Sequence, residues 1–153
     1  MARKHDSVPD LASFNRMLRF ARMKSTPQRT AVHSAMMKLV HASAEEVVAH
    51  IAASGEVKIT RASVYRILAE LADAGIYSRR LSSDTRQYFD AVPSRHVHLY
   101  NFMDGEFQDV ADPELNSLIE TAMKGHRFRG YKIDGVEISI LCHPSRRRLK
   151  TRK

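Results

Sequence analysis

Apolar residues recur at helical spacing through the first half of the chain and alternate with polar ones through much of the second. Leu11, Phe14, Leu18 and Ala21 fall on one face of an amphipathic helix, with Arg16, Arg19 and Arg22 elsewhere around it. Thr26-Pro27 starts a second helix, the threonine as N-cap and the proline at the first helical position, where its missing N–H is not needed. Val32, Ala35, Met36 and Leu39 give that helix its stripe. Ser43-Ala44-Glu45-Glu46 reads as a capping box, whose end side chains satisfy each other's free backbone donors. It opens a third helix buried through Val47, Val48 and Ile51 and ending near Ser54-Gly55. Thr60 caps a fourth, with Val64, Ile67, Leu68 and Leu71 inward and Gly75 as the stop signal.

The period then changes. Ile76–Leu81 and Arg86–Asp90 are short extended runs around Ser82-Ser83-Asp84-Thr85, a hairpin or wing. Helices followed by such a hairpin are the order of a winged helix-turn-helix. Ala91-Val92-Pro93-Ser94 interrupts the pattern, because Pro93 lacks a donor and restricts Val92. Beyond it His96–Met103 alternates, Asp104-Gly105 signals a turn, and Glu106–Val110 returns. Asp112-Pro113 opens a helix with Leu115, Leu118, Ile119 and Ala122 on one face, and Arg129–Ile133 with Val136–Cys142 reads as a second hairpin around Asp134-Gly135. The expected class is α+β: a winged-helix domain with a helical extension over 1–90, a hinge at 91–95, a small α/β dimerisation domain over 96–145, and a basic tail at 146–153. So small a second domain buries too little to stand comfortably alone, and a second copy is its natural partner.

Charge sharpens this division. Of the 25 Lys and Arg in 153 residues, fifteen lie in residues 1–95 against nine acids, while residues 96–142 carry four against eight. The tail adds six more positive charges. A basic front beside an acidic body suits a DNA-binding head joined to a domain that avoids DNA. No apolar run approaches the roughly 20 residues of a membrane span, and the first residues lack the apolar stretch of a secretory signal. Cys142, the single cysteine, cannot form an internal disulfide. A cytoplasmic protein is therefore expected, without a membrane partner.

On the fourth helix Arg61, Ser63, Tyr65 and Arg66 stay near the exposed face and N-terminal end, where a recognition helix enters the major groove of duplex DNA. Arginine reads guanine bidentately, tyrosine meets thymine methyls or phosphate, and serine bonds either. Arg29, Lys58, Arg79, Arg80 and Arg86 are expected to contact phosphates. A second constellation is His96-Val97-His98, two imidazoles on one face of a strand about 7 Å apart at Cα. Exposed histidines on an edge strand would give the same pattern. Asp90 before the hinge, Asp109 on the returning strand and His41 before the capping box strengthen the metal reading. Imidazole and carboxylate without thiolate favour iron, manganese or zinc. An open iron site of a metalloenzyme uses similar ligands, but this set is large enough to fill a coordination sphere and no separate substrate pocket is signalled. The expectation is a binding protein rather than an enzyme.

Thr26-Pro27-Gln28-Arg29, Ser43-Ala44-Glu45-Glu46, Ala62-Ser63-Val64-Tyr65-Arg66-Ile67-Leu68, Leu71-Ala72-Asp73-Ala74-Gly75 and Tyr88-Phe89-Asp90 together resemble the ferric uptake regulator superfamily, over about Met17 to Cys142. The resemblance implies a homodimeric winged-helix repressor of iron-homeostasis or peroxide-stress genes on a palindromic operator. It implies a regulatory Fe²⁺ or Mn²⁺ site (with Zn²⁺ able to replace them in vitro) on His41, Asp90, His96 and His98. Asp90 and the added Asp109 are similar to the peroxide-sensing branch. Tyr88-Phe89-Asp90, Asp109–Leu115 and Gly130-Tyr131-Lys132-Ile133 before a basic tail also resemble the iron response regulator branch, whose members respond to haem. A haem-controlled or constitutive binder is accordingly the alternative. The paired C-x-x-C motifs of the superfamily's structural zinc are missing: the first falls near Asn101 and Asp104, and only Cys142 remains of the second. Arg95 and Val97 flank His96 where a second histidine-rich site would need ligands, so one regulatory site per chain is expected.

Overall fold

The computed structural model describes residues 7–81, 85–92, 97–110, 112–133 and 136–145. The chain forms two compact units, Met1–Ser94 and Arg95–Lys153.

Local chemistry sets the helices of the first unit. Asp10 caps α1 (Leu11–Phe20), its carboxylate accepting from Ser13 N at 2.7 Å. Thr26 caps α2 (Pro27–Leu39) through Arg29 N, with proline in the first turn. Val40 leaves α2 at φ +64°, a conformation β-branched residues rarely take, and turns the chain into β1 (His41–Ser43). Both halves of the capping box form at α3 (Ala44–Ser54): Ser43 Oγ accepts from Glu46 N, and Glu46 Oε2 accepts from Ser43 N at 2.7 Å. Gly55 ends α3 at φ +68°, where a side chain would be strained. Thr60 caps α4 (Arg61–Asp73), accepting from Ser63 N at 3.1 Å. β2 (Ser78–Leu81) and β3 (Gln87–Asp90) pair antiparallel, and β1 adds to the free side of β3, giving the order β1-β3-β2.

Register assigns the faces of this sheet. Ala42 opposes Phe89 and Arg79 opposes Phe89, so these three share one face; His41 and Ser78 both oppose Asp90, and Arg80 opposes Tyr88, on the other. Ala42 and Phe89 join Phe14, Leu18, Val32, Met36, Val47, Val64, Leu68 and Leu71 in one buried core. Each large apolar side chain buried there contributes roughly 1.5–3 kcal/mol.

The second unit is thinner. β4 (Val97–Asn101) and β5 (Glu106–Val110) form an antiparallel hairpin, Asp112 caps α5 (Pro113–Lys124), and β6 (Ser139–Cys142) lies parallel to β4. The order is β5-β4-β6. This corrects the expected second hairpin: residues 131–133 are not a strand, and β6 pairs with β4 instead. Central β4 offers a paired, half-buried edge of the kind that an isolated late hairpin lacks. No residue of α5 is buried, and Leu118, Tyr131 and Leu141 are 67%, 80% and 70% exposed. Among the described residues no helix is long and apolar enough to cross a membrane.

Candidate functional site

Two histidine–carboxylate pairs are built by the same device, direct opposition across an antiparallel ladder. In the first unit His41 and Asp90 are register partners on β1 and β3. The β1 strand exists because Val40 turns the chain, and Val40 O then accepts from Ala91 N at 3.1 Å. His41 Nε2 lies 3.5 Å from Asp90 Oδ2. Asp90 is fully buried, and its Oδ1 accepts from Val92 N at 2.9 Å. Arg80, on the same face of the sheet, donates from Nη2 to Oδ2 at 3.2 Å and is itself buried.

In the second unit His98 on β4 opposes Asp109 on β5. His98 Nε2 lies 3.0 Å from Asp109 Oδ1, the imidazole buried and the carboxylate one-third exposed. Phe107, two residues along β5, meets the His98 ring edge-on at 6.2 Å and helps fix its plane. His96, the remaining expected ligand, lies outside the described residues.

Both separations fit donors of a divalent cation. Two ligand atoms each about 2.1 Å from one ion and at right angles lie roughly 3.0 Å apart. A nitrogen and a carboxylate oxygen at 3.0 or 3.5 Å can thus become neighbouring ligands with little movement. The donors are imidazole and carboxylate, suited to iron, manganese and zinc. Thiolate does not enter this set: Cys142 pairs with Asn101, three rungs from His98 along β4, roughly 10 Å away. Asn101 and Asp104, where the resemblance puts a lost zinc-binding pair, are hydrogen-bonded to each other at 2.6 Å. Asn101 also accepts from Met103 N and Asp104 from Glu106 N, so this pair closes the β4–β5 turn.

The expected DNA-reading residues divide into exposed and engaged groups. Arg61 and Arg66 are exposed on α4, ion-paired to Glu45 and Glu70. Tyr65 is half exposed; its ring meets the edge of Phe89 and its hydroxyl donates to Gln87 Oε1 at 2.9 Å. Ser63 supplies its backbone N–H to the Thr60 cap, so that donor is already used. Lys58 and Arg86 are exposed. A groove of about 840 Å³ runs between Ala44, Glu45, Arg61, Ala62, Tyr65, Arg86 and Gln87. Arg29 instead braces the helices, donating to Lys24 O and Glu70 Oε2, both at 2.7 Å. Arg79 reaches Asp73 at 2.7 Å and Ala69 O on α4. Arg80 departs furthest from expectation. Strand alternation turns it to the face carrying Asp90, where its guanidinium is covered rather than presented. The sequence carries no sign that Glu45 pairs with Arg61 or Gln87 with Tyr65; nothing in spacing or residue type marks a glutamine on a wing strand as the partner of a helix tyrosine.

His33 is a buried titratable group separate from these sites. It stacks on Phe14 with ring centroids 3.8 Å apart, and its nitrogens sit 2.7 Å from Tyr77 Oη and from Pro9 O. Pro9 O only accepts, so Nε2 carries the proton and Nδ1 accepts from Tyr77. Burial lowers the His33 pKa from its ordinary value, against smaller raising effects of Pro9 and Asp10. Burial also raises that of Tyr77, keeping its hydroxyl protonated.

The family profile described as the ferric uptake regulator family matches residues 21–140. A ferric uptake regulation protein of Rhizobium leguminosarum bv. viciae is 33% identical over 75 residues, 48% of this chain and 53% of that protein. The match thus spans about half the length of that relative. Among solved structures, a ferric uptake regulator from Pseudomonas aeruginosa with manganese superposes with a TM-score of 0.69 at 24% identity, covering 86% of this chain and 98% of that one. The ferric uptake regulator of Vibrio cholerae gives 0.67 at 23% identity, covering 86% and 99%. At these identities the two structures speak for the fold: an N-terminal winged-helix unit and a C-terminal α/β unit.

Proposed function

The chain belongs to the ferric uptake regulator family, whose members are transcription regulators rather than enzymes, and we propose that it is a DNA-binding regulator switched by one divalent cation, Fe²⁺ or Mn²⁺. The observation that carries this reading is the matched pair of cross-strand donors, His41 with Asp90 in the first unit and His98 with Asp109 in the second. In the proposed complex all four, with His96, hold a single ion. That ion supplies the charge that lets two carboxylates and the imidazoles stay together. The first unit supplies two donors and the second the others, so their capture of one ion favours a single placement of the basic head on the second unit. A ligand shifts such an equilibrium only through its differential affinity for the two arrangements. A tenfold gain in DNA affinity needs only about 1.4 kcal/mol of coupling.

Arg61, Tyr65 and Arg66, with Ser63 at the entrance of α4, are proposed to read base edges, and Lys58 and Arg86 to meet phosphates. Tyr65 is pre-set for this by Gln87 and Phe89. Exposed Leu118, Ile140 and Leu141 in the second unit support a homodimer, since so much uncovered apolar surface favours a partner. A twofold dimer matches a palindromic operator. Repression of iron-homeostasis or peroxide-stress genes is the proposed role.

The test uses His98→Ala. It is expected to fold and dimerise as the parent does, while Mn²⁺ no longer strengthens operator binding in a mobility-shift or anisotropy titration. A variant with an undiminished Mn²⁺ response would rule this switch out.

A further inference from the structure

Arg80 stands where a regulatory cation would have to be admitted. Its place on β2 puts it on the sheet face shared by His41, Tyr88 and Asp90. Only 6% of Arg80 is exposed, and Asp90 is wholly buried. The oxygen that receives Arg80 Nη2 at 3.2 Å, Asp90 Oδ2, is the same one that lies 3.5 Å from His41 Nε2. We propose that Arg80 is a resident counter-ion that competes with the divalent cation for Asp90 and so sets the concentration at which the head's donors fill. This rests on the metal-switch reading above.

Three physical points carry it. A buried carboxylate left without a positive neighbour is strongly destabilising, so the metal-free head needs a cation at Asp90. Arginine meets that need permanently, because its guanidinium does not lose its proton in proteins. A divalent ion joining His41 Nε2 and Asp90 Oδ2 would then sit roughly 5 Å from the guanidinium, given a metal–ligand bond of about 2.1 Å. Like charges that close weaken binding about tenfold even with the screening of bulk water, and more where water is excluded. The same arginine therefore offsets the charge of Asp90 while the site waits and raises the ion concentration needed to occupy it. A neutral residue at position 80 would reverse both effects.

The test compares the full-length parent and Arg80→Gln, using Mn²⁺ alone and following free Mn²⁺ by electron paramagnetic resonance. Arg80→Gln is expected to bind Mn²⁺ at least about tenfold tighter. Its metal-free Tm is expected to fall, and its Tm gain on adding Mn²⁺ to exceed the parent's. A merely structural arginine would lower the Tm without tightening Mn²⁺ binding; equal or weaker affinity in a folded Arg80→Gln overturns the proposal. A second measurement needs no substitution. In ¹⁵N-labelled parent protein, addition of diamagnetic Zn²⁺ is expected to shift the Arg80 guanidinium resonance and speed its proton exchange, and an unchanged resonance at saturation overturns the proposal. If the parent bound no Mn²⁺ at all, the metal-switch reading itself would fail and take this inference with it. A parent that binds Mn²⁺ beside an Arg80→Gln that binds no tighter would sink only the role of Arg80.

Discussion

His33 shows how much a single side chain can decide within the head. Its neutral form is specified on both edges: a carbonyl that can only accept, and a tyrosine hydroxyl that burial keeps protonated. Protonation would put a second N–H against that hydroxyl inside the core. Because the folded pKa lies below the ordinary value, the unfolded chain takes up the proton first as pH falls. The contribution of His33 is therefore complete above about pH 6.5 and declines as pH drops below it, at no more than about 1.4 kcal/mol per pH unit. Denaturant unfolding of the parent between pH 7.5 and 5 should show that decline, and His33→Phe, which keeps the stack on Phe14, should flatten it. An unchanged slope would contradict the assignment of a buried neutral imidazole. Tyr77→Phe, which leaves Nδ1 without its donor, should cost about 1–3 kcal/mol at neutral pH in the same experiment. None of this was legible in the sequence, where His33 is one histidine on a helix face; the stacking partner lies nineteen residues away and the hydroxyl forty-four.

Among the elements, the helices were the most readable because their signals are local. Thr26, Ser43, Thr60 and Asp112 all cap where their residue types suggest, and the stripes on α2, α3 and α4 meet in one core. Thr60→Ala should accordingly cost about 1 kcal/mol, measured as a lower midpoint of chemical unfolding with an unchanged slope. It should also weaken DNA binding, because Ser63 and Arg61 sit in the turn that Thr60 organises. The strands were less readable. Three residues, His41–Ser43, are too few to show alternation, and β1 forms where the turn at Val40 meets the unpaired side of β3. The doublet Arg79-Arg80 carries no hint of which arginine points where. Register with β3 decides it, sending Arg79 toward α4 and Arg80 toward Asp90. Likewise β6 met β4 rather than residues 129–133, since the choice between a local hairpin and a parallel crossover depends on which edge is available.

For the whole molecule, the two units differ in how well they bury themselves. The first closes a core of its own; the second leaves Leu118, Ile140 and Leu141 uncovered. Replacing Leu141 by Lys should lower the mass seen by sedimentation toward that of one chain and weaken operator binding, while the first unit keeps its helical signal. The candidate ligands were readable as residue types with suitable spacing, and His41–Asp90 and His98–Asp109 are each register partners. What spacing could not reveal is that Asp90 already faces an arginine. The central claim is that donors from both units serve one ion. Equilibrium dialysis against Mn²⁺ of the parent, His41→Gln and Asp109→Asn tests it most directly. The account predicts one ion per chain in the parent and its loss from either variant alone. Retention of a tightly held ion by both variants, or two independent ions in the parent, would contradict it.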